Sequence, residues 1–306
     1  MKLGTLPTLL AVLRRGNFAG AAQELALTPS AVSQQMRQLE DYFGQPLFDR
    51  SGRAVKPTPF AREVVATVEA ALDGLQALRD RSRPEIGGRL RLGVINSVLL
   101  STLPAILRTV AQRHPTLQVT LEPENTSDKL LESLNAGDID AAVVVLPRAG
   151  MSRKLVHAVL TEEPFVLVHP PQIHKPGNIA SIVRQWPWVR YNGSLEGGRM
   201  ASAFVRRLSP GLHPQYEVMT TQGVVGMVAE GLGFSVIPMP SAAVLDAHRV
   251  GVVLLQDAMP PRQIVLARRA ADVDNRRIDA VLRCMREVYE KSARRPLKPP
   301  TSGTAC

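Results

Sequence analysis

The stretch FAGAAQELALTPSAVSQQMRQLEDYFGQPLFDRSGRAVKPT, residues 18–58, decides the N-terminal fold, because it reads as two short helices across a turn and then a basic hairpin. Ala21 and Ala22 are small enough for close helix approach, and the first helix, Phe18–Leu25, stops at Ala26-Leu27. Thr28 then supplies an N-cap hydroxyl, and Pro29 takes the first helical position, where its missing N–H costs nothing. Val32, Met36, Leu39 and Phe43 recur at i, i+4, i+7 and i+11, one apolar stripe that faces the first helix. The other face carries Ser30, Ser33, Gln34, Arg37 and Gln38, hydroxyls, amides and a guanidinium of the kind that bond base edges and phosphates in a major groove. A solvated polar face is the alternative for any single helix of this composition. The hairpin decides between them. Gly44-Gln45-Pro46 ends the helix, Leu47-Phe48 supplies core anchors, and Arg50, Arg53 and Lys56 surround Ser51-Gly52 as a basic turn suited to phosphates or a minor groove. Together with Thr28, these are the candidate DNA contacts.

The same residues resemble the LysR-type transcriptional regulators of bacteria. The resemblance is carried by Ala21-Ala22, Ala31-Val32-Ser33, Leu39-Glu40, Gly44, Pro46-Leu47-Phe48 with Arg50, and Thr58, each at the family's spacing. The family often has Gln-Pro where this chain has Pro29-Ser30, and Arg where it has Gln34, so no relative's operator is carried over. The resemblance implies a winged helix-turn-helix, a long linker helix, and a two-lobed α/β effector domain similar to periplasmic binding proteins. Its implied partners are double-stranded DNA, a small-molecule effector, a second copy of the chain in a homodimer or tetramer, and RNA polymerase. No cofactor and no metal are implied.

The chain has 306 residues, 45% of them hydrophobic, enough for two or three units with cores of their own. No apolar run approaches the ~20 residues that span a bilayer, and the N-terminal residues lack a signal peptide's apolar core, so a cytoplasmic protein without membrane contact is expected. Two cysteines, Cys284 and Cys306, make neither a disulfide framework nor a zinc site. The net charge of +10 is uneven: residues 1–58 hold seven Lys/Arg against four Asp/Glu, and residues 291–306 hold four basic and no acidic side chains. That C-terminal tail has no apolar face and reads as a disordered, solubilising segment.

From Pro59 an uninterrupted helical pattern runs to about Ser82. Val64, Val68, Ala71, Leu75 and Leu78 keep spacings of 4-3-4-3, the stripe of a coiled-coil seam. A domain of about 58 residues has little of its own to cover so long a stripe, which points to pairing with a second chain. Two recognition helices then meet half-sites about one turn apart. Residues 83–89 carry a Pro/Gly break that reads as a hinge.

Beyond the hinge the pattern becomes α/β. Leu90–Ile95 and Asp140–Leu146 are short apolar runs of the buried parallel-sheet type, Gln118–Glu124 alternates more, and helices are expected at about Leu99–His114 and Asp128–Ala136. A second lobe, residues 163–267, shows strands at Phe165–His169, Trp188–Tyr191, Tyr216–Met219, Phe234–Pro238 and Ile264–Arg268, with a helix from Gln222 to a stop at Gly231. The last helix, Asn275–Lys291, returns to the first lobe, which is then 90–162 with 268–290.

Ligands of open α/β sheets bind beyond the carboxyl ends of strands, and two such lobes make a cleft. The polar groups at those ends are Asn96-Ser97, Asn125-Thr126-Ser127, Tyr191-Asn192 and Thr220-Thr221, with Arg148, Arg190 and Arg199 as counter-charges. Hydroxyls and N–H groups at helix N-termini favour an anion, although each Ser or Thr alone can be a simple N-cap. Catalytic patterns fail one by one. In Gly193-Ser194-Leu195-Glu196-Gly197 the serine is off the middle position of a nucleophile elbow, and Gly231-Leu232-Gly233 lacks the third glycine of a dinucleotide loop. The six histidines, His114, His157, His169, His174, His213 and His248, show no metal spacing.

The expected function is therefore that of a sequence-specific DNA-binding transcriptional regulator controlled by a small molecule between two lobes, not an enzyme. Two other readings use parts of the same pattern: a solute-binding protein built on residues 89–290, and an architectural or replication-associated DNA-binding protein whose α/β part only oligomerises.

Overall fold

A computed structural model describes residues 5–49, 56–65, 67–68, 85–124, 126–173 and 179–293. The chain divides into two compact units, Met1–Arg83 and Pro84–Cys306.

In the first unit, helix α1 (Leu6–Arg15) ends on Gly16 in the left-handed conformation. Helix α2 (Phe18–Glu24) starts at Asn17, whose side chain accepts from the Gly20 N–H. Helix α3 (Pro29–Phe43) starts at Thr28, whose Oγ1 accepts from the Ala31 N–H at 3.2 Å. The turn between α2 and α3 places Ala26 at φ 53°, and α3 stops at Gly44, φ 67°, where a residue without Cβ meets no steric penalty. Val32, Met36 and Leu39 are buried with Leu9, Val12, Ala21 and Ala22, so the expected stripe faces its expected partner. Strands β1 (Phe48–Asp49) and β2 (Lys56–Pro57) pair antiparallel as the base of the hairpin. Glu40 holds that hairpin to α3: its Oε1 accepts from the N–H groups of Leu47 and Phe48 at 3.0 and 3.3 Å.

Thr58 starts the linker helix, donating from Oγ1 to the Pro46 carbonyl at 2.9 Å and accepting from the Ala61 N–H at 3.1 Å. The helix continues through 59–65 and 67–68. Here one expectation is corrected. Val64 and Val68 are buried in the core of their own unit, not left over for a partner, because a domain this small draws the first turns of the linker into its core. Ala71, Leu75 and Leu78 lie outside the described residues, as do Arg50 and Arg53 of the hairpin and the segment beyond residue 293.

The second unit contains two lobes. Lobe I is a five-stranded sheet, ordered β4 (Leu117–Leu121), β3 (Gly88–Val94), β5 (Ala141–Val145), β12 (Arg262–Arg269) and β6 (Leu155–Glu163). The first three are mutually parallel, and β12 runs antiparallel to β5 and β6. Helices α4 (Asn96–Leu99), α5 (Leu103–Arg113), α6 (Ser127–Ala136) and α11 (Arg276–Ala293) belong to this lobe, where residues of all four are buried with the strands. Lobe II carries a three-stranded antiparallel sheet, β10 (Ser235–Pro238), β7 (Phe165–His169) and β11 (Gly251–Leu254), and a parallel pair, β8 (Trp188–Tyr191) and β9 (Pro214–Val218). A parallel bridge between Trp188 and Phe234 joins the two sheets. Helices α7 (Ile179–Gln185), α8 (Glu196–Leu208), α9 (Thr221–Ala229) and α10 (Ala242–Ala247) complete it.

The strand over Ile264–Arg268 is present, but in the sheet of lobe I, so the expected lobe II range of 163–267 is too long. Its core-facing residues pair with Val143, Val144 and Val145 of β5, a partner about 120 residues earlier that no local pattern identifies. Strands β6 and β11 and helices α1, α4, α7, α8 and α10 were not anticipated. Both crossings between the lobes meet in one register pair, Glu163 at the end of β6 opposite Arg262 at the start of β12.

Candidate functional sites

On α3, Ser30, Gln34, Arg37 and Gln38 are exposed and Ser33 is half-buried. Thr28 is exposed too, but its hydroxyl caps the helix and lies 3.0 Å from the Ser30 Oγ. Gln35, one residue on from Gln34, turns inward and accepts from the Thr8 hydroxyl at 2.6 Å. Among the described residues, the Gln34, Arg37 and Gln38 side chains make no hydrogen bond or ion pair. They form a row of donors and acceptors on a rigid helix with nothing among those residues to satisfy them. Lys56 is exposed on the hairpin strand β2.

In the second unit, a small cleft of about 30 Å³ opens to solvent between the two lobes. Lobe I contributes Asn96, Ser97, Ser127 and Asp128, lobe II contributes Tyr191, Ser194 and Glu196, and Arg262 of β12 forms part of the lining. Helix α8 reaches the cleft with its first turn because Gly198 lies against the Asn192 carbonyl, a space in which any side-chain carbon would collide with backbone.

Arg262 organises this site. It is 4% exposed and donates to Glu163 Oε2 from Nε at 2.8 Å and from Nη2 at 2.6 Å, while Nη2 also donates to Ser97 Oγ at 2.9 Å. Burial works against its charge, but the Glu163 carboxylate and Tyr191 more than offset that, and its pKa is raised. Burial also raises the Tyr191 phenol, against the opposing pull of Arg262. Arg199 of α8 is the second cation. It is bound to Glu196 through Nε and Nη2, donates from Nη1 to the Ser194 carbonyl at 2.9 Å, and lies 3.3 Å from Asp128 Oδ2 in lobe I.

Of the residues expected at an effector site, Asn96, Ser97, Ser127 and Tyr191 line this cleft. Ser127 is already engaged, its Oγ accepting from the Val145 N–H. Thr126, Asn192, Thr220 and Thr221 do not line it: Thr220 caps α9 by accepting from the Gly223 N–H, Thr221 is turned to Gln222, and Asn192 bonds Ser194. Asn125 lies outside the described residues. Among the expected counter-charges, Arg148 is exposed and Arg190 pairs with Glu217 at 3.6 Å; Arg199 alone of the three reaches the cleft residues. Asp128, Glu196, Glu163 and Arg262 were missed. Asp128 and Glu196 could have been found, as carboxylates in the first turns of two helices that start at strand ends.

Residues 83–290 match the family described as LysR substrate binding domain, and residues 3–62 match bacterial regulatory helix-turn-helix proteins of the lysR family. Among similar sequences, a "Probable hydrogen peroxide-inducible genes activator" of Streptomyces viridosporus is 30% identical over 278 residues, covering 87% of this chain and 88% of the relative. The regulator IlvR of Caulobacter vibrioides is 28% identical over 258 residues, covering 82% and 86%. Among solved structures, a full-length OxyR variant from Pseudomonas aeruginosa superposes with a TM-score of 0.70 at 23% identity, covering 94% of this chain and 95% of that one. Full-length CbnR complexed with its target DNA gives a TM-score of 0.59 at 20% identity, covering 94% and 100%. Among the described residues no helix is long and apolar enough to cross a membrane. With both family matches in order along nearly its whole length, the chain belongs to the LysR family of DNA-binding transcriptional regulators.

Proposed function

We propose that the chain reads its operator through Ser30, Ser33, Gln34, Arg37 and Gln38, is held on phosphates by Thr28, Lys56, Arg50 and Arg53, and is switched by a small molecule in the cleft around Ser97, Asp128 and Arg262. It works as a homodimer or tetramer in the cytoplasm, in contact with RNA polymerase, with Ala71, Leu75 and Leu78 in the seam between chains, and it catalyses no reaction. The observation that carries the reading is the row of polar side chains on α3 without a partner among the described residues, which suits base edges better than it suits the inside of the protein.

The names of some relatives mention hydrogen peroxide. In this chain Cys284 is buried in α11, and burial pushes its thiol pKa up, away from the reactive thiolate. The other cysteine is Cys306. Control through the cleft is therefore the reading we favour over thiol oxidation.

An effector shifts DNA binding only through different affinity for two arrangements of the protein. The test is a footprint of the operator with the wild type and with Ser97→Trp, a substitution that fills the cleft. A ligand-dependent change in the wild type and none in the variant is expected. A full change in a folded Ser97→Trp protein would move the switch elsewhere.

A further inference from the structure

We propose that the cleft takes a small cation bearing N–H donors, an ammonium or amidinium group, which replaces Arg199 beside Asp128. This rests on reading the cleft as the effector site. Helix N-termini by themselves suggest an anion, but both long helices that start at the cleft already carry a carboxylate in the first turn, Asp128 in α6 and Glu196 in α8. The two guanidiniums, Arg262 and Arg199, face three carboxylates, Glu163, Asp128 and Glu196, so one negative charge is in excess. Both cations are already neutralised by carboxylates of the chain. Arg262, 4% exposed, is bound to Glu163 and Ser97 through Nε and Nη2, and Arg199 is bound to Glu196 through Nε and Nη2 and to the Ser194 carbonyl through Nη1.

The acceptors divide differently. Glu163 and Glu196 are held by short contacts to their arginines, whereas Asp128 meets Arg199 at 3.3 Å with 55% of its side chain exposed. An exposed pair of this length contributes little and exchanges readily. Asp128 belongs to lobe I and Arg199 to lobe II, so a ligand cation on Asp128 removes a bond between the lobes. That gives the differential affinity a switch requires.

The isosteric series acetamidinium, acetamide and acetate separates charge from shape. Each is titrated into the full-length protein at constant ionic strength and monitored by calorimetry. Acetamidinium is expected to bind at least tenfold more tightly than acetate, with acetamide between them. Asp128→Asn should abolish the preference, and Arg199→Gln, which removes the internal competitor, should tighten acetamidinium binding; thermal unfolding verifies that both variants are folded. Acetate binding most tightly, and more tightly still to Asp128→Asn, would overturn the cation while keeping the cleft as the site. Failure of all three probes to bind, or binding indifferent to both substitutions, would overturn the cleft reading and the proposal with it.

Discussion

The outer face of α3 and the interior of the cleft hold the same kinds of side chain in opposite conditions. On α3, Gln34, Arg37 and Gln38 are exposed and have no partner among the described residues. In the cleft, Arg262, Glu163, Ser97, Arg199, Glu196 and Asp128 are bound to one another. These conditions set what each surface can do. A face with unsatisfied groups gains bonds when a base or phosphate arrives and loses little when a group is removed. A site whose groups are mutually satisfied binds only by exchange, and removing one member leaves another stranded in low dielectric.

Truncating Glu163 tests that contrast most severely. Glu163→Ala leaves the buried Arg262 guanidinium without its counter-ion, which should cost roughly 3 kcal/mol of stability in the second unit. Glu163→Gln keeps an acceptor and should lose less. Thermal unfolding checks both. A Glu163→Ala melting temperature equal to that of the wild type would mean that Arg262 is satisfied without Glu163, and the contrast between the two regions would collapse.

A smaller effect comes from Tyr289 of α11, whose hydroxyl accepts from Thr102 Oγ1 at 3.1 Å beside the same network. Burial, with Glu163 adding to it, pushes its pKa up to about 12. Below the ordinary tyrosine value of about 10 the phenol is neutral in both folded and unfolded chains, and its contribution is fully present. Between about 10 and 12 the unfolded chain ionises first, so stability should fall by about 1.4 kcal/mol per pH unit for this one proton. Tyr191, raised by burial too, adds a loss of the same sign. Denaturant titrations across this window should show a shallower fall for Tyr289→Phe. An identical slope in the variant would mean that solvent reaches the phenol.

The two regions were not equally legible in the sequence. The helix-turn-helix of the N-terminal unit was, down to Thr28 as a cap and the stripe of Val32, Met36 and Leu39, because a cap, a turn and a helical stripe are decided by residues within a few positions of each other; helix α1 was not read. The linker stripe is apolar in sequence, yet at Val64 and Val68 its periodicity could not say which chain covers it. In the second unit the central strands β3, β5 and β7 were visible as apolar runs. Strand β6, LVHAVLTEE, was not, since it lies at a sheet edge and only Leu155 in it is fully buried. Of the residues expected at an effector site, those that line the cleft are Asn96 and Ser97, just past a strand end, Tyr191 at the end of its own strand, and Ser127 at a helix start. Arg262 was invisible because its role comes from register: β12 sets it opposite Glu163, 99 positions earlier in the chain, and no spacing rule spans that distance.

The smallest effect on stability, and the sharpest test of the comparison, belongs to Gln34. Its amide has no partner among the described residues, and alanine is at least as good a helix former, so Gln34→Ala should leave the stability of the first unit nearly unchanged, within about 0.5 kcal/mol. Its affinity for the operator over random DNA should nevertheless fall, by ~1–3 kcal/mol if the amide makes a bidentate contact to one base. Arg37→Ala separates base reading from phosphate contact: a base contact lowers the specific-to-non-specific ratio, whereas a phosphate contact lowers all binding alike and reduces the salt slope by about one. If Gln34→Ala instead destabilised the unit and bound every sequence equally less well, the amide would be a structural group. The face of α3 would then resemble the cleft, engaged within the chain rather than open to a partner.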